Sequence, residues 1–311
     1  MDGRLQLFTG NAHSALAESL SHELEIPLGR AIVGKWKNGE TRIKLDENVR
    51  GSDVFILQPT CDPVNHHIME LLLVIDALQR ASAARITAVI PYYGYAKQEK
   101  KTSGREPISA KLVANLLTVA GTDRVLAVDL HAPAIEGFFD IPVDHLRATP
   151  LLSQAFRSHV DDEVVVVSPD AGGVARAEDF RLRVGGSLAI ISKQHPRPDA
   201  TETLEMVGDV DGKIAIIVDD MISTGGTLIQ AANLLQARGA AAIHVAATHG
   251  IFAGDAMTKI QNSAIDQLYV TDTLPLPASA SSQVEVVSVA PLLAEAITRT
   301  HKGLSISALF T

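Results

Sequence analysis

The 311 residues carry 27 Lys and Arg against 36 Asp and Glu, a formal net charge of −9 at pH 7, with 46% hydrophobic and 20% charged residues. That balance describes a folded globular chain long enough for two ordinary domains, and it argues against non-specific binding to nucleic acid or to an anionic membrane surface. The one cysteine, Cys61, excludes a disulfide framework within the chain and reads as a small buried hydrophobe in a reducing compartment. No apolar run approaches a membrane span, and the opening Met-Asp-Gly-Arg lacks the basic-then-apolar pattern of a secretory leader, so a cytoplasmic location is expected.

In chain order, short apolar runs alternate with helical patterns throughout. Leu5 to Phe8 predicts a strand and Ala12 to Leu24 a helix; an Asn-Gly turn then sits within Lys35 to Glu40 between extended segments. Val54 to Leu57 is a strand, and Asp62-Pro63 offers an N-cap and a first helical position for a helix reaching about Ala83, striped by Ile68, Leu71, Leu72, Ile75 and Leu78. Strand Ile86 to Ile90, helix Ile108 to Val119 and strand Val125 to Val128 close a first half. The second half repeats the alternation: helix Pro150 to Ser158, strand Val164 to Val167, a helix from Gly173 and strand Leu188 to Ile191 come first. Strand Ala215 to Val218, helix Leu228 to Arg238, strand Ile243 to Ala247, helix Gly254 to Gln261, strand Gln267 to Val270 and helix Pro291 to Thr300 follow. The expected fold is α/β, two doubly wound domains with mostly parallel sheets, divided at 146/147, with the last residues packing back on the first domain.

The densest chemical signal lies after the strand Ala215 to Val218. Asp219 and Asp220 stand at its carboxyl end, the edge where open α/β sheets bind ligands. Ser223-Thr-Gly-Gly-Thr227 follows at a helix start, where successive N–H groups and the helix dipole favour an anion and glycine permits close approach. Carboxylates repel phosphate but accept hydrogen bonds from sugar hydroxyls, so the two parts suit the two ends of a sugar phosphate. A plain helix cap with two solvated acids is the competing reading.

Four further stretches carry chemical residue types. Asp129-Leu-His131 and the stretch Ser168 to Ala177, with Asp170, follow strands and offer donors to a divalent ion such as magnesium; a structural histidine is the usual alternative for the first, and a close-packed turn is an equally good reading of the second. The stretch Lys97 to Arg105 gathers cations beside Tyr92, Tyr93 and Tyr95, as a polyphosphate and a flat base require, and equally as a solvated charged loop would. Ser192 to Asp199, with Lys193 and two prolines, reads as a mobile surface loop able to close over a transferring group.

Nearly the whole chain resembles the class I ribose-phosphate pyrophosphokinases, the synthetases of phosphoribosyl pyrophosphate (PRPP). The matching blocks are Asn38-Gly-Glu40, Asp62 to Asn65 with Ile68 to Leu72, Ile90 to Ala96, Arg105 to Lys111, Asp129 to Ala132 with Gly137 to Pro142, Ser168 to Asp170 with Gly172 to Val174, and the loop from Asp219 to Thr227. The resemblance implies transfer of the β,γ-diphosphoryl group of ATP to the 1-hydroxyl of ribose 5-phosphate, giving PRPP and AMP with Mg2+ as cofactor. It implies that Asp219 and Asp220 hold the ribose hydroxyls and that Ser223, Thr224, Gly225, Gly226 and Thr227 hold the 5-phosphate. Trp36, Asn38, Gly39 and Glu40, contributed by a neighbouring subunit, would form the ATP site with Lys97, Gln98, Glu99 and His131. His131 and Asp170 would serve the metal, and Lys193 and His195 the transferring group.

By the same resemblance, Arg50, Arg80, Ser82, Arg105, Asp144, Ser305, Ser307 and Phe310 lie in blocks of an ADP and phosphate regulatory site, and a dimer-based homo-oligomer, a hexamer in the family's habit, is implied. The chain departs from the pattern in places. Lys97 to Lys101 replaces planar arginine forks with lysine point charges, Trp36 and Asn38 stand where Phe and Asp are common, Ser223 where Asp is common, and Glu136 where Gln is common. His195 occupies the place of a second lid arginine, and imidazole is only partly charged near neutral pH. That keeps open a catalytically weak regulatory homologue that binds nucleotide or ribose phosphate; a phosphoribosyltransferase would leave the first half unexplained.

Overall fold

The computed structural model of the chain describes residues 3–156, 163–194, 203–280 and 282–309, with the backbone alone at Lys193, Gln194 and Thr203. The chain divides into two compact units. The first comprises Met1–Arg147, Thr273–Pro275 and Val289–Thr311, and the second Ala148–Asp272 and Leu276–Ser288.

The first unit is built on a five-stranded parallel sheet. Its strands are β1 (Leu5–Thr9), β4 (Asp53–Leu57), β5 (Arg85–Ile90), β6 (Arg124–Val128) and β7 (Val143–Leu146), adjacent in that order. The hairpin of β2 (Ala31–Lys35) and β3 (Thr41–Leu45) forms a separate two-stranded sheet. Helices α1 (Ser14–Glu23), α2 (Val64–Arg80) and α3 (Ser109–Ala120) connect the strands. Strand side chains alternate between faces. On one face Phe8, Val54, Ile56, Ile86, Ala88 and Val125 pack with the α2 stripe (Leu71, Ile75, Leu78) and with Val113 and Leu117 of α3. Because Pro63 is itself the cap of α2 and makes no side-chain capping bond, the cap expected from Asp62 is not the one used.

The second unit carries a seven-stranded sheet in the order β10 (Thr203–Val207), β9 (Ser187–Gln194), β8 (Val164–Ser168), β11 (Ile214–Ile222), β12 (Ala242–Gly250), β13 (Gln267–Thr271) and β14 (Val284–Val287). All neighbours run parallel except β9 and β10. Helices α4 (Thr149–Gln154) and α5 (Val174–Val184) pack on one face of the sheet, where Phe156, just past α4, meets Phe180 of α5 edge-on at 5.5 Å and Tyr269 of β13 at a tilt at 4.4 Å between ring centroids. Helices α6 (Gly226–Ala237) and α7 (Ala256–Gln261) cover the other face, through Leu228, Leu235, Met257 and Ile260. The final helix, α8 (Ala290–Lys302), belongs to the first unit, where it packs against α1.

Two further expectations change. Ser192 to Gln194, read as part of a loop, continue β9 and pair with Glu205 to Thr203 of β10; His195 and the residues up to 202 lie outside the described residues. The strand expected to stop at Val218 runs on to Ile222, so both acids are strand residues.

Candidate active site

In the second unit the chain leaves β8 toward β9 on one side and leaves β11 toward β12 on the other. The direction of winding therefore reverses between β8 and β11, and open α/β sheets bind ligands in such a crevice, at the strands' carboxyl ends. The ladder from β8 to β11 ends at the pair Val167 and Ile217, while β11 continues along β12 through Asp219, Met221 and Ile222. Asp219 and Asp220 thus stand one and two residues beyond Val218, where β11 has lost its β8 neighbour.

Arg176, in the first turn of α5, faces the acid pair: one guanidinium nitrogen lies 3.3 Å from Asp219 Oδ1 and 3.3 Å from Asp220 Oδ1. Asp219 Oδ1 also accepts the Asp220 backbone N–H at 2.8 Å. Burial pushes the Asp219 carboxyl up to about 7, the adjacent Asp220 adds to the rise, and Arg176 opposes it. Arg176 lies outside the blocks that carry the family resemblance, and its position in the sequence gives it no role; only the fold brings α5 to the end of β11.

Beyond β11 the chain turns through Ser223 and the exposed Thr224 into α6. Gly225 caps the helix at φ +77°, a left-handed conformation suited to glycine, and makes no side-chain capping bond. A methyl group on Gly226 would meet nothing nearer than Thr224 Oγ1 at 4.0 Å. The helix start is open to an approaching anion on that side. Asp170, exposed in the loop after β8, accepts the Gly173 N–H on Oδ1 at 2.9 Å.

In the first unit the β2–β3 hairpin holds Trp36, Asn38, Gly39 and Glu40 in one turn: Trp36 N–H donates to Glu40 O at 2.8 Å, Gly39 N–H to Trp36 O at 2.9 Å, and Glu40 N–H to Asn38 Oδ1 at 3.2 Å. Gly39 has φ +90°. The Trp36 ring is half exposed and carries the Arg42 guanidinium 4.6 Å from its centroid, at the mouth of a cavity of about 530 Å³ that Lys44 and Arg80 also line.

Lys97 and Gln98 border a smaller cavity of about 260 Å³ with Lys100, Thr102 and Glu106. Gln98 is fixed there, its N–H donating to Tyr95 O at 2.9 Å and its Oε1 accepting from Ser109 Oγ at 2.5 Å. Glu99 pairs with Lys100 at 3.0 Å. Hydrogen bonds from the hydroxyls and N–H groups of Ser103 and Thr102 hold the Glu106 carboxyl down to about 2. The aromatic wall is smaller than expected, because Tyr93 is a core residue whose hydroxyl donates to Ala110 O at 2.9 Å. Cys61 is buried too, and burial pushes its thiol up to about 11, which suits a packing residue and not a nucleophile.

His131 is half-buried on the turn after β6, two residues past Asp129 at φ +39°. It belongs to the first unit and Asp170 to the second. Among the described residues no group of three or more His, Cys, Asp or Glu could hold a metal. Of the residues assigned to regulation, Gly51 N–H donates to Ser82 O at 2.9 Å and so brings Arg50 beside Ser82, and Arg80 pairs with Asp76 at 2.8 Å. Asp144 is engaged by Arg124 at 2.7 Å, Arg105 is exposed at φ +68°, Ser305 Oγ accepts the Ser307 N–H at 3.2 Å, and Phe310 lies outside the described residues.

The family model for the N-terminal domain of ribose phosphate pyrophosphokinase matches residues 5–121, and that for the phosphoribosyl synthetase-associated domain matches residues 189–311. The ribose-phosphate pyrophosphokinase of Caldanaerobacter subterraneus subsp. tengcongensis is 50% identical over 309 residues, covering 99% of this chain and 98% of that protein. The enzyme of that name from Chromobacterium violaceum is 52% identical over 98% of this chain and 94% of its own. The crystal structure of phosphoribosylpyrophosphate synthetase from Mycobacterium smegmatis, 44% identical, superposes with a TM-score of 0.92 over 96% of this chain and 99% of that one. Identity at this level over almost the full length of both partners means that the chain belongs to the ribose-phosphate pyrophosphokinase family.

Proposed function

We infer that the chain transfers the β,γ-diphosphoryl group of ATP to the 1-hydroxyl of ribose 5-phosphate, producing PRPP and AMP. The observation that carries this reading is the crevice at the end of β11, where an acid pair and an open helix start sit within a few residues in a chain matched end to end by ribose-phosphate pyrophosphokinases. Neither the weak regulatory homologue nor the phosphoribosyltransferase gains comparable support.

In this reading Asp219 and Asp220 accept hydrogen bonds from the ribose hydroxyls, and Arg176 keeps the pair in register. Ser223, Thr224, Gly225, Gly226 and Thr227 receive the 5-phosphate on the helix start. Trp36, Asn38, Gly39, Glu40, Lys97, Gln98, Glu99 and His131 bind ATP, the hairpin residues acting on a neighbouring subunit's nucleotide in a dimer-based homo-oligomer of hexameric habit. Lys193 and His195 balance the charge that develops on the transferring group. No covalent enzyme intermediate is needed, since diphosphoryl transfer rests on alignment and electrostatics.

Mg2+ bound with the nucleotide would neutralise the polyphosphate and orient it for in-line attack. Hard oxygen donors and a few protein ligands suit that ion, and the exposed Asp170 carboxylate, steered by Gly173 N–H, fits the requirement; His131 completes the proposed set. Among the described residues no helix is long and apolar enough to cross a membrane, and a cytoplasmic setting is part of the proposal. Arg50, Arg80, Ser82, Arg105, Asp144, Ser305, Ser307 and Phe310 are proposed to take ADP or phosphate as regulators.

The deciding measurement is AMP formation from ATP with Mg2+, with and without ribose 5-phosphate, repeated with added phosphate and ADP. Ribose 5-phosphate-dependent AMP is expected. Its absence, with pyrophosphate instead released from PRPP in the presence of a nucleobase, would move the chain to the phosphoribosyltransferases.

A further inference from the structure

The turn that carries His131 is held by a second histidine, which has no place in the proposed set of site residues. His145, on β7 and only 7% exposed, accepts the Leu130 backbone N–H on Nε2 at 2.7 Å. Its Nδ1 is in close contact with Glu136 Oε1, in the 3-10 turn Pro133–Phe138. A backbone amide can only donate, so Nε2 is unprotonated and the ring proton sits on Nδ1, donated to Glu136. Arg147 Nη1, 3.0 Å from the same Nε2, reinforces this tautomer. Burial and the Arg147 charge lower the affinity of the ring for a second proton, while Glu136 pulls the other way. The 3-10 turn is anchored in its own right, since Lys111 Nζ donates to Phe138 O at 2.5 Å. The backbone at Asp129 takes φ +39°, a conformation that non-glycine residues adopt when the surroundings hold it.

We propose that His145 is a positioning residue for nucleotide binding: oriented by Glu136, it fixes the Leu130 amide and thereby the direction of His131. The inference rests on the proposed role of His131 in the metal–nucleotide site. It is the arrangement in which a ligand's supporting shell sets its orientation, one step removed through the backbone. Glu136, placed where the family commonly has glutamine, serves this internal bond, and as a carboxylate it is the stronger acceptor for Nδ1–H.

Two substitutions separate the halves of the ring. In His145→Gln the amide oxygen reaches the Nε2 position and keeps the bond to Leu130; in His145→Asn the shorter amide reaches only the Nδ1 position and loses it. His145→Asn is expected to raise both the Kd of Mg-ATP by calorimetry and its KM by about 10- to 100-fold, with the KM of ribose 5-phosphate within about twofold of wild type. His145→Gln is expected to recover most of that loss. The ¹⁵N spectrum of wild-type imidazole should show the His145 proton on Nδ1. Equal effects of the two variants, parallel changes in both substrates' KM, or a proton found on Nε2 would overturn the proposal. His131→Ala is the reference: if it leaves Mg-ATP binding unchanged, the His131 role fails and this inference with it; if it weakens binding while His145→Asn does not, only the positioning role fails.

Discussion

Adjacent carboxylates in a half-buried crevice cannot both ionise freely, and Asp219 shows the consequence: burial and Asp220 push its carboxyl up to about 7, with Arg176 as the partial remedy. The unfolded chain holds an ordinary aspartate at 3.8. Between those values the folded state binds more protons than the unfolded one, so this group's contribution is fully present below about pH 4 and is lost as pH rises through about 7. Asp219→Asn keeps an oxygen for the Asp220 N–H and removes the charge. Without substrates it is expected to melt about 2–4 °C above the wild type at pH 8, as about 1 kcal/mol of repulsion is relieved, with the gap closing toward pH 5. It is also expected to raise the KM of ribose 5-phosphate. A melting difference that is flat with pH would mean that the acid pair is not strained. The sequence exposed these two acids because they follow an apolar run, whereas Arg176 and His145 act through partners 43 and 15 positions away, which no local pattern encodes.

Among elements, the strands that escaped sequence reading are β7, β10 and β14, each at an edge of its sheet. A central parallel strand is buried on both faces and reads as an apolar run, as Val164 to Val167 and Ala215 to Val218 do. An edge strand lacks that requirement: Val284–Val287 has an exposed glutamate and valine at its centre, and Val143–Leu146 includes Asp144 and His145. The β11 overrun was hidden for a related reason, because aspartates seldom prolong a strand unless a neighbour such as β12 continues the ladder. The glycines at the start of α6 were legible as a pair, but their separate duties emerge from geometry. Gly225→Ala would place a side chain at φ +77° with room for its methyl, so the cost is conformational, about 1–2 kcal/mol. Gly226→Ala has neither a positive φ nor a near neighbour, so its stability should match wild type while the KM of ribose 5-phosphate rises at least about tenfold. Paired melting curves and kinetics would test this, and equal stability losses in both variants would refute the division of labour.

At the scale of the molecule, order along the chain and membership of a unit part company. Val289–Thr311 follows all seven strands of the second sheet yet belongs to the first unit, alongside residues laid down before Arg147. The apolar stripe of α8 announced a helix that buries one face, but not the polar clasp at its last turn, whose partners lie 215 and 248 positions away. Asp53, fully buried at the start of β4, receives Arg85 in a two-pronged bond at 2.7 and 2.5 Å and His301 Nδ1 at 2.7 Å. Arg85 also donates to Thr300 O at 3.0 Å, at the last turn of α8. Removing one member of a buried ion pair leaves the other desolvated and uncompensated, at a cost of about 3–5 kcal/mol, whereas replacing both with apolar groups of similar size is often neutral. Asp53→Ala is therefore expected to lose that much stability in the first unit and to release hydrogen-exchange protection in β4, β5 and α8, while β11 to β13 of the second unit keep theirs. Asp53→Leu combined with Arg85→Met should restore much of the protection in β4 and β5 but less at the end of α8, where the bonds to Thr300 O and His301 are gone. Uniform loss across both units would show that the clasp is not what fastens α8, and the polar triad would then be a tolerated burial with no holding role.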